Sequence, residues 1–392
     1  MPASASPAAP LASAVVGCGV IGKTHVAAIL EIDRLHVSAL VDPMLERAEA
    51  LADDVEERTG RRPAVHASIA DALAGPRSLD LVVLATPSGM HVEQAVEALE
   101  SGAHVVIEKP VDVDVRRARK LAAAAHAAAE HGQLCTVISQ HRFDPSSQVV
   151  HRALVAGEFG RITSAVASVS WWRSQVYYDS GDWRGTWALD GGGALMNQGV
   201  HTLDLLLWFL GRPVTVSAEF GLLAHEGVEV EDTVVATLTF ESGALAVLHA
   251  TTAAYPGLTS RVQVLGARGS AVIDADRLEY FHAADDGDSS AMGRQGGGNQ
   301  AERYRDLDEP ALRGIDATRS TLGHIRQYHD LLAAIDEGRE PGVTVDDALL
   351  ALATVRAVYV SAATGEKVAV ADVLEGRHDD VSPVLARRPV AV

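Results

Sequence analysis

The stretch "AVVGCGVIGKTHVAAI" between Ala14 and Ile29 constrains the fold of this chain more than any other. A short apolar run ends at Gly17, and two more glycines follow at Gly19 and Gly22, where a pattern with helical spacing begins. Glycines at this spacing allow a tight turn, close approach of a ligand to the backbone and close packing of the helix on the strand. The N-terminus of such a helix offers unpaired N–H groups to phosphate. The motif therefore predicts a βαβ unit that binds a dinucleotide.

Asp42 refines this prediction. It lies 20 residues after Gly22, at the end of the second predicted strand, "HVSALVD". A carboxylate there would accept hydrogen bonds from a ribose 2′-OH and repel a 2′-phosphate, so we expect NAD in preference to NADP. Two alternatives stay open: Asp42 caps the following helix, and the nearby Arg47 accommodates the 2′-phosphate of NADP. Val20 and Ile21 complete the predicted cofactor contacts of the glycine turn.

Hydrophobic patterning divides the chain into two regions. Residues 11–140 alternate short apolar runs with helical patterns, which is typical of a Rossmann domain with a parallel sheet. Residues 141–372 carry long β-like stretches separated by turns, with an apolar helix inserted. We therefore predict an α/β protein, with an N-terminal Rossmann domain followed by an α+β domain that has a large, mainly antiparallel open sheet. Residues 1–10 and 373–392 are predicted to be tails.

Composition excludes several classes of protein. The net charge is −19, from 33 basic and 52 acidic residues, which argues against binding nucleic acid. The sequence lacks both an apolar run of about 20 residues and a cationic segment before an N-terminal apolar run, so we expect neither a membrane span nor a signal peptide. Cys18 and Cys135 lie outside any metal-like spacing, and the 16 histidines form no HExxH motif. We expect no metal, and reduced thiols in the cytoplasm.

Five segments together resemble one family, the glucose–fructose oxidoreductase / inositol dehydrogenase / MocA (GFO/IDH/MocA) family. They are "VVGCGVIGKTH", "ATPSGMH", "IEKP" at 107–110, "QHRFDP" at 140–145 and "GGGALMNQGVHTLDLLLW" at 191–208. The resemblance implies an NAD(P)-dependent oxidoreductase acting on a secondary hydroxyl or ketone of a sugar, nucleotide sugar or cyclitol. It also implies that the C-terminal domain binds the substrate and that its sheet forms a homodimer or homotetramer.

The resemblance implies that Lys109 and His201 are catalytic. A histidine can accept and return the hydroxyl proton near neutral pH, and an ammonium group stabilises negative charge on the reacting oxygen. Pro110 restricts Lys109 to extended backbone, and family members often have this bond in the cis form. Taken singly, each residue has an ordinary structural alternative. Lys109 could be a solvated lysine at the end of a strand, and His201 could be a core histidine whose hydrogen bonds are all made within the protein.

Asn197 is a third catalytic candidate. It precedes His201 by four residues, so the two share a face of the predicted helix. Many family members have aspartate at this position. Asparagine cannot take a proton, but it can hydrogen-bond a substrate hydroxyl. This departure puts a lysine–aspartate–histidine relay in doubt and leaves His201 as the candidate base.

Further cofactor contacts are predicted at two turns of the first domain. The resemblance places the backbone of Thr86 and Pro87 near the nicotinamide ribose or the adenylate. His91, in the same turn, is a candidate contact, although a structural role for its side chain is the favoured interpretation. Glu108 and Lys109 of the "EKP" motif complete this set.

Three more residues are candidate substrate contacts, in addition to Lys109, Asn197 and His201. Arg142 follows the last strand of the Rossmann domain. Arg184 and Trp187 lie in "GDWRGTWALDGGG", where an arginine and an indole could stack on a sugar and bind its hydroxyls. Packing within the loop, or a contact between subunits, is an equally good interpretation of these two.

Two other functions remain open. A non-catalytic nucleotide-binding sensor would keep the glycines but has no need for both Lys109 and His201. An enzyme that holds NAD tightly and works through a transient ketone would modify a sugar with no net redox change. Turnover in a sugar panel excludes the sensor, and cofactor that purifies with the protein and is unchanged by turnover favours the redox-neutral enzyme.

Overall fold

The computed structural model describes residues 9–76, 78–181, 184–285, 297–304, 309, 312, 315 and 318–382, and these form two compact units. The first unit runs to Asp112, resumes over Arg117–Gln140 and includes the described residues between 311 and Asp346. The second contains Val113–Arg116, the described residues between His141 and 310, and those from Asp347 onward. Of the predicted tails, residues 1–8 and 383–392 lie outside the described residues.

The first unit is built on a six-stranded parallel sheet with the order β3-β2-β1-β4-β5-β6. Its central strands are apolar and buried on both faces, because helices cover both sides of a parallel sheet. This order is that of the predicted Rossmann domain. The strands are β1 Leu11–Val16, β2 Leu35–Val41, β3 Ala64–His66, β4 Leu81–Leu84, β5 His104–Ile107 and β6 Cys135–Val137.

The second unit is built on an eight-stranded sheet with the order β13-β12-β11-β7-β10-β9-β8-β14. All neighbouring pairs are antiparallel except β10 and β7. Buried and exposed residues alternate along β9 and β10, so one face of the sheet packs on the core. The predicted fold class is therefore confirmed. The strands are β7 Ile162–Ser170, β8 Pro213–Gly221, β9 Thr233–Phe240, β10 Leu245–Thr251, β11 Ser260–Gly266, β12 Gly269–Asp274, β13 Arg277–Ala283 and β14 Val368–Ala369.

The α-helices are numbered along the chain. They are α1 Val20–Ile29, α2 Leu45–Thr59, α3 Ile69–Leu73, α4 His91–Glu100, α5 Val115–Ala129, α6 Pro145–Val155, α7 Gln175–Asp179, α8 Val200–Leu210, α9 Arg319–Glu337, α10 Val345–Thr364 and α11 Val370–Leu374. By length and composition alone α10 could span a membrane, but 61% of its apolar window is buried inside the protein, which is typical of a core helix.

The helix α9 departs from the predicted domain division. The sequence prediction includes this segment in the domain 141–372, whereas in the structure α9 belongs to the first unit and packs against α1. Ile325, Tyr328 and Leu331 of α9 are buried in the same core as the strands β1 and β2. Amphipathic periodicity reveals that a helix has an apolar face, but it does not reveal which sheet that face covers.

Candidate active site

The glycine turn of the first unit has the geometry that a dinucleotide needs. Gly17 has φ +94°, and a Cβ atom there would lie 2.5 Å from the carbonyl oxygen of Ala85. A Cβ atom on Gly22 would lie 1.9 Å from the carbonyl oxygen of Gly17, so the close approach of α1 to β1 requires glycine. A Cβ atom on Gly19 would meet no atom within 4 Å. The space beside Gly19 is open, and no side chain caps α1; the turn therefore fits a pyrophosphate.

The residues around this turn differ in exposure. Val20 and Ile21 are exposed at the start of α1. Asp42 is only 5% exposed. Its Oδ2 accepts the Cys18 N–H at 3.0 Å, and its Oδ1 accepts the Met44 N–H at 2.9 Å. These bonds give Asp42 a structural role beside the glycine turn, but not that of the helix cap considered as the alternative, because α2 begins after Met44 with no side-chain cap. The contact with a ribose stays a prediction.

His91 connects the two predicted cofactor turns of the first unit. It is buried, with Nδ1 2.9 Å from the carbonyl oxygen of Pro110 and Nε2 2.9 Å from that of Thr86. One imidazole therefore lies between the turn at Thr86 and Pro87 and the "EKP" segment, and in its neutral form its single N–H donates to one of the two carbonyl oxygens. Burial lowers the pKa of His91. This arrangement supports a structural role for its side chain.

Glu108 forms a buried hydrogen-bonded cluster inside the first unit, which we call the Glu108 cluster. Its Oε2 accepts the backbone N–H of Lys109 at 3.0 Å. Its Oε1 lies 3.1 Å from Nε2 of both His25 and His324. The Tyr328 hydroxyl lies 2.8 Å from Nδ1 of His25. Because Nε2 of His25 faces the carboxylate, its Nδ1 is left to accept from the tyrosine.

The electrostatics of the Glu108 cluster favour an ionised carboxylate. Burial raises the pKa of Glu108, but the hydrogen bonds from His25 and His324 outweigh it and hold that pKa well below its ordinary value. Burial lowers the pKa of His25. Sequence reasoning placed Glu108 among the cofactor contacts and missed the role of His324 and Tyr328. Their spacing of four residues on α9 was the available signal, but it does not name a partner.

Lys109 lies directly after β5, at the carboxyl end of the parallel sheet, where open α/β sheets bind their ligands. It is half-buried, and its peptide bond to Pro110 is cis. The structure therefore adopts the isomer that the resemblance implies, with the backbone N–H of Lys109 bonded to Glu108.

The sequence predicts a single α-helix for the segment that carries the catalytic candidates Asn197 and His201, but the structure differs. Residues Leu195–Gly199 form a π-helix, which continues into α8. Between Gly192 and Leu207 every residue is buried except Asn197 and His201, which are half-buried. The amide nitrogen Nδ2 of Asn197 donates to the carbonyl oxygen of Gly192 at 3.1 Å. This exposure pattern agrees with the predicted common face, and short π-helical turns are frequent at functional sites.

A buried glutamate holds the start of this segment. The Oε2 of Glu231 accepts the Gly193 N–H at 2.8 Å, and its Oε1 accepts the Leu195 N–H at 2.9 Å and the Tyr359 hydroxyl at 3.0 Å. A Cβ atom on Gly193 would lie 1.7 Å from the Glu231 carbonyl oxygen, and one on Gly192 would lie 2.2 Å from the Tyr359 hydroxyl. We call this arrangement the Glu231 cap. Sequence reasoning missed it, although the unexplained "GGG" was a signal of close backbone approach.

Arg142 has a different environment from the one predicted. It is only 3% exposed, and its Nε and Nη2 donate to the two carboxylate oxygens of Asp204 at 2.8 and 2.6 Å. Its Nη1 lies 3.3 Å from a carboxylate oxygen of Asp347. The predicted contact with substrate is not supported by this geometry, because the guanidinium is enclosed by carboxylates. Arg142 instead anchors α8 one turn after His201.

Arg184 and Trp187 pack within the second unit. The guanidinium of Arg184 lies 4.4 Å from the ring centre of Tyr177, and its Nε donates to the Ser180 hydroxyl at 3.1 Å. The indole of Trp187 packs edge-on against Tyr359, with ring centres 5.1 Å apart. These contacts match the packing alternative, and a contact of either residue with substrate stays a prediction.

Two groups of side chains among the described residues bring ligand-type atoms within 4.8 Å of one another. One is His25, Glu108 and His324, and the other is His141, Asp144 and Asp276. In both groups these atoms already form hydrogen bonds or ion pairs with each other. We assign no metal to either group.

Comparison with known proteins decides the family. Residues 11–139 match the model of the oxidoreductase family with an NAD-binding Rossmann fold, and residues 147–272 match the model of the GFO/IDH/MocA C-terminal domain. The chain belongs to the GFO/IDH/MocA family. The predicted family, its NAD cofactor and its enzyme class are confirmed, so this family member is an NAD-binding oxidoreductase.

Two relatives cover nearly the whole of this family member. The WlbA dehydrogenase from Bordetella pertussis, solved in complex with NADH and UDP-GlcNAcA, is 31% identical and has a TM-score of 0.75. The match covers 92% of this chain and 98% of that one. Inositol 2-dehydrogenase of Rhizobium meliloti is 25% identical over 363 residues, which is 91% of this chain and 98% of the relative.

Proposed function

We propose that this oxidoreductase transfers a hydride between NAD and a secondary hydroxyl or ketone of a sugar, nucleotide sugar or cyclitol. The observation that carries the proposal is the selective exposure of Asn197 and His201 in an otherwise buried helical segment. A hydrogen-bonding amide and a proton-accepting imidazole on one exposed edge suit a polyhydroxyl ligand, whose buried hydroxyls need partners. WlbA, with its nucleotide sugar, and inositol 2-dehydrogenase support the substrate class.

The residues that would hold the cofactor are the glycine turn, the N-terminus of α1 and Asp42, together with the backbone of Thr86 and Pro87. Bound NAD supplies an acceptor for the hydride that leaves the substrate carbon. His201 removes the hydroxyl proton during oxidation and returns it during reduction. The ammonium of Lys109 stabilises the negative charge that develops on the oxygen. Asn197 donates to or accepts from a neighbouring hydroxyl and orients the ring.

A substrate panel tests this proposal. Nucleotide sugars, free sugars and cyclitols are incubated with the enzyme and either NAD or NADP, and reduced nicotinamide is followed by its absorbance. We expect turnover with one substrate class, and faster turnover with NAD. Absence of turnover across the panel, with NAD still bound, would favour the sensor. Conversion of substrate without net NADH formation, with NAD copurifying, would favour the redox-neutral enzyme.

We also propose that the large sheet forms a homo-oligomer through its solvent-facing side. Val247 of β10 stands opposite Val166 of β7, and both are partly exposed, as are Leu245 and Val235 on the same face. An apolar patch on an open sheet favours a second copy of the chain as its partner. Light scattering should therefore report a dimer or tetramer, and Val247→Lys should shift it toward the monomer. A wild-type monomer would refute this proposal.

A further inference from the structure

One residue accepts three consecutive backbone N–H groups at the start of the segment that carries His201. The carboxylate of Glu231 binds the N–H groups of Gly193 and Leu195 through its two oxygens, at 2.8 and 2.9 Å. The Ala194 N–H between them donates to the main-chain carbonyl oxygen of Glu231 at 3.1 Å. These groups stand at the N-terminus of the π-helix, where no earlier turn of the helix can satisfy them.

The Glu231 cap is a specific arrangement rather than incidental packing. Glu231 is fully buried, and a buried carboxylate costs several kcal/mol unless donors surround it. The donors here are the N-terminal N–H groups of a helix, whose dipole favours negative charge, and the Tyr359 hydroxyl from α10. No side chain fits at Gly193 or Gly192. Contact at this distance is therefore available only to glycine at these two positions.

The cap transmits position directly to the candidate site. The Asn197 N–H donates to the carbonyl oxygen of Gly193 at 3.0 Å, and its side chain donates to that of Gly192 at 3.1 Å. His201 follows on the same continuous helical segment. A displacement of Gly192 and Gly193 would therefore move the side chains of Asn197 and His201 together. A misplacement of about 1 Å at a reacting group costs on the order of 10²-fold in rate.

We propose that Glu231 is a positioning residue for this oxidoreductase: it anchors the glycine turn at 192–193 and thereby sets where His201 and Asn197 stand. The inference rests on the proposed role of His201. It assigns Glu231 no contact with substrate or cofactor. Removal of the Glu231 carboxylate should lower kcat and leave the KM for NAD unchanged. The turn proposed to hold NAD, at Gly17, Gly19 and Gly22, belongs to the first unit.

The cap is also sensitive to pH. Burial raises the pKa of Glu231 to about 7, against the lowering effect of the N–H groups of Leu195 and Gly193 and of Tyr359. The other titratable groups around it are Asp232, next in sequence, and Tyr178 of α7, whose own pKa burial raises to about 12. A protonated carboxyl loses one of its acceptor positions, so the hydrogen bonds that Glu231 makes to the N–H groups of Gly193 and Leu195 change as the pH passes through about 7.

The experiment combines kinetics with a direct report on the cap. Glu231→Gln is compared with Glu226→Gln, a matched change at an exposed position in the same connection between β8 and β9. We expect Glu231→Gln to lower kcat by about 10- to 100-fold, and Glu226→Gln to leave it unchanged. Far-UV circular dichroism and the amount of NAD bound per chain confirm that both variants are folded. A loss of kcat that merely follows the folded fraction would overturn the proposal.

Two further readouts need no substrate, so they separate failure of this inference from failure of the proposed function. Trp187 packs on Tyr359, so its fluorescence should change with a midpoint near pH 7 in the wild type and in His201→Ala, but not in Glu231→Gln. Amide exchange at 193–195 should be faster in Glu231→Gln than in Glu226→Gln. The proposal would be overturned, whatever the substrate panel shows, if the fluorescence transition persisted in Glu231→Gln. It would also be overturned if amide exchange at 193–195 were the same in Glu231→Gln and Glu226→Gln.

Discussion

Two buried glutamates, one in each unit, bind the backbone of the segments that carry the proposed reacting residues. Glu108 accepts the N–H of Lys109, and Glu231 accepts N–H groups at the start of the helix that contains His201. They differ in their side-chain partners. Glu108 faces two histidines, whereas Glu231 faces Tyr359. The pKa of Glu108 lies well below its ordinary value, and that of Glu231 is raised to about 7.

The difference shows that burial alone does not decide the charge of a carboxylate. Both sites remove water, which raises a carboxyl pKa. At Glu108 the hydrogen bonds that the side chains of His25 and His324 donate to the carboxylate overcome this effect. At Glu231 the donors are peptide N–H groups and a phenol, which are neutral dipoles and compensate only part of the lost hydration. The first carboxylate therefore stays ionised near neutral pH, whereas the second titrates there.

The comparison assumes that each glutamate serves a reacting residue, and removing those residues tests the assumption most severely. Lys109→Ala and His201→Ala should each lower kcat by about 10²- to 10⁴-fold, because charge stabilisation or proton transfer is lost. NAD affinity, measured by fluorescence titration with NADH, should be retained. If either variant keeps nearly the wild-type rate, that residue is not catalytic and its glutamate is only structural.

The two glutamates should contribute to stability with opposite dependence on pH. Because the pKa of Glu231 is raised from 4.5 to about 7 in the folded chain, the folded state binds this proton more tightly than the unfolded state. Its contribution therefore falls as the pH rises from 4.5 to 7, by about 3 kcal/mol in total. Urea unfolding at several pH values should show this slope in the wild type and lose it in Glu231→Gln. Identical slopes in the two proteins would contradict the raised pKa.

Glu108 provides the other half of that test. Its lowered pKa means that its contribution is present above the unfolded value of 4.5 and is lost as the pH falls through the folded pKa. Glu108→Gln should cost about 1–3 kcal/mol at neutral pH, since an amide nitrogen then faces at least one N–H donor. The exposed Glu100→Gln is the control in urea unfolding. A Glu108→Gln variant with the stability of the wild type would mean that His25 and His324 do not need the carboxylate as a hydrogen-bond acceptor.

Asp42 extends the comparison to a third buried carboxylate, with the smallest expected effect. Asp42→Ala should reduce the preference for NAD over NADP by about 10-fold in kcat/KM, which corresponds to one hydrogen bond to a charged acceptor. Arg47→Ala should lower any activity with NADP. An Asp42→Ala variant that loses stability but keeps its preference would show that the carboxylate only holds the N–H groups of Cys18 and Met44.

Much of the first unit was predictable because its signals are local. The positive φ of Gly17 and the clearance between Gly22 and the Gly17 carbonyl oxygen belong to one strand–turn–helix unit, and continuous apolar runs predict buried parallel strands. That Asn197 and His201 share a face was also predicted, from their four-residue spacing, even though the segment is partly π-helical. Arg142 was the opposite case: its sequence position suggested a ligand contact, and its charge is enclosed by Asp204.

The sequence by itself determined the nucleotide-binding turn, the two classes of sheet and the residue types able to move a proton or stabilise an oxyanion, since these depend on neighbours within a few residues. The tertiary structure alone decided that α9 supplies His324 to Glu108 and Tyr328 to His25, and that Tyr359 of α10 and the glycines at 192–193 meet at Glu231. These contacts join residues far apart along the chain, and their pairing follows from how the helices pack, which short-range periodicity does not specify.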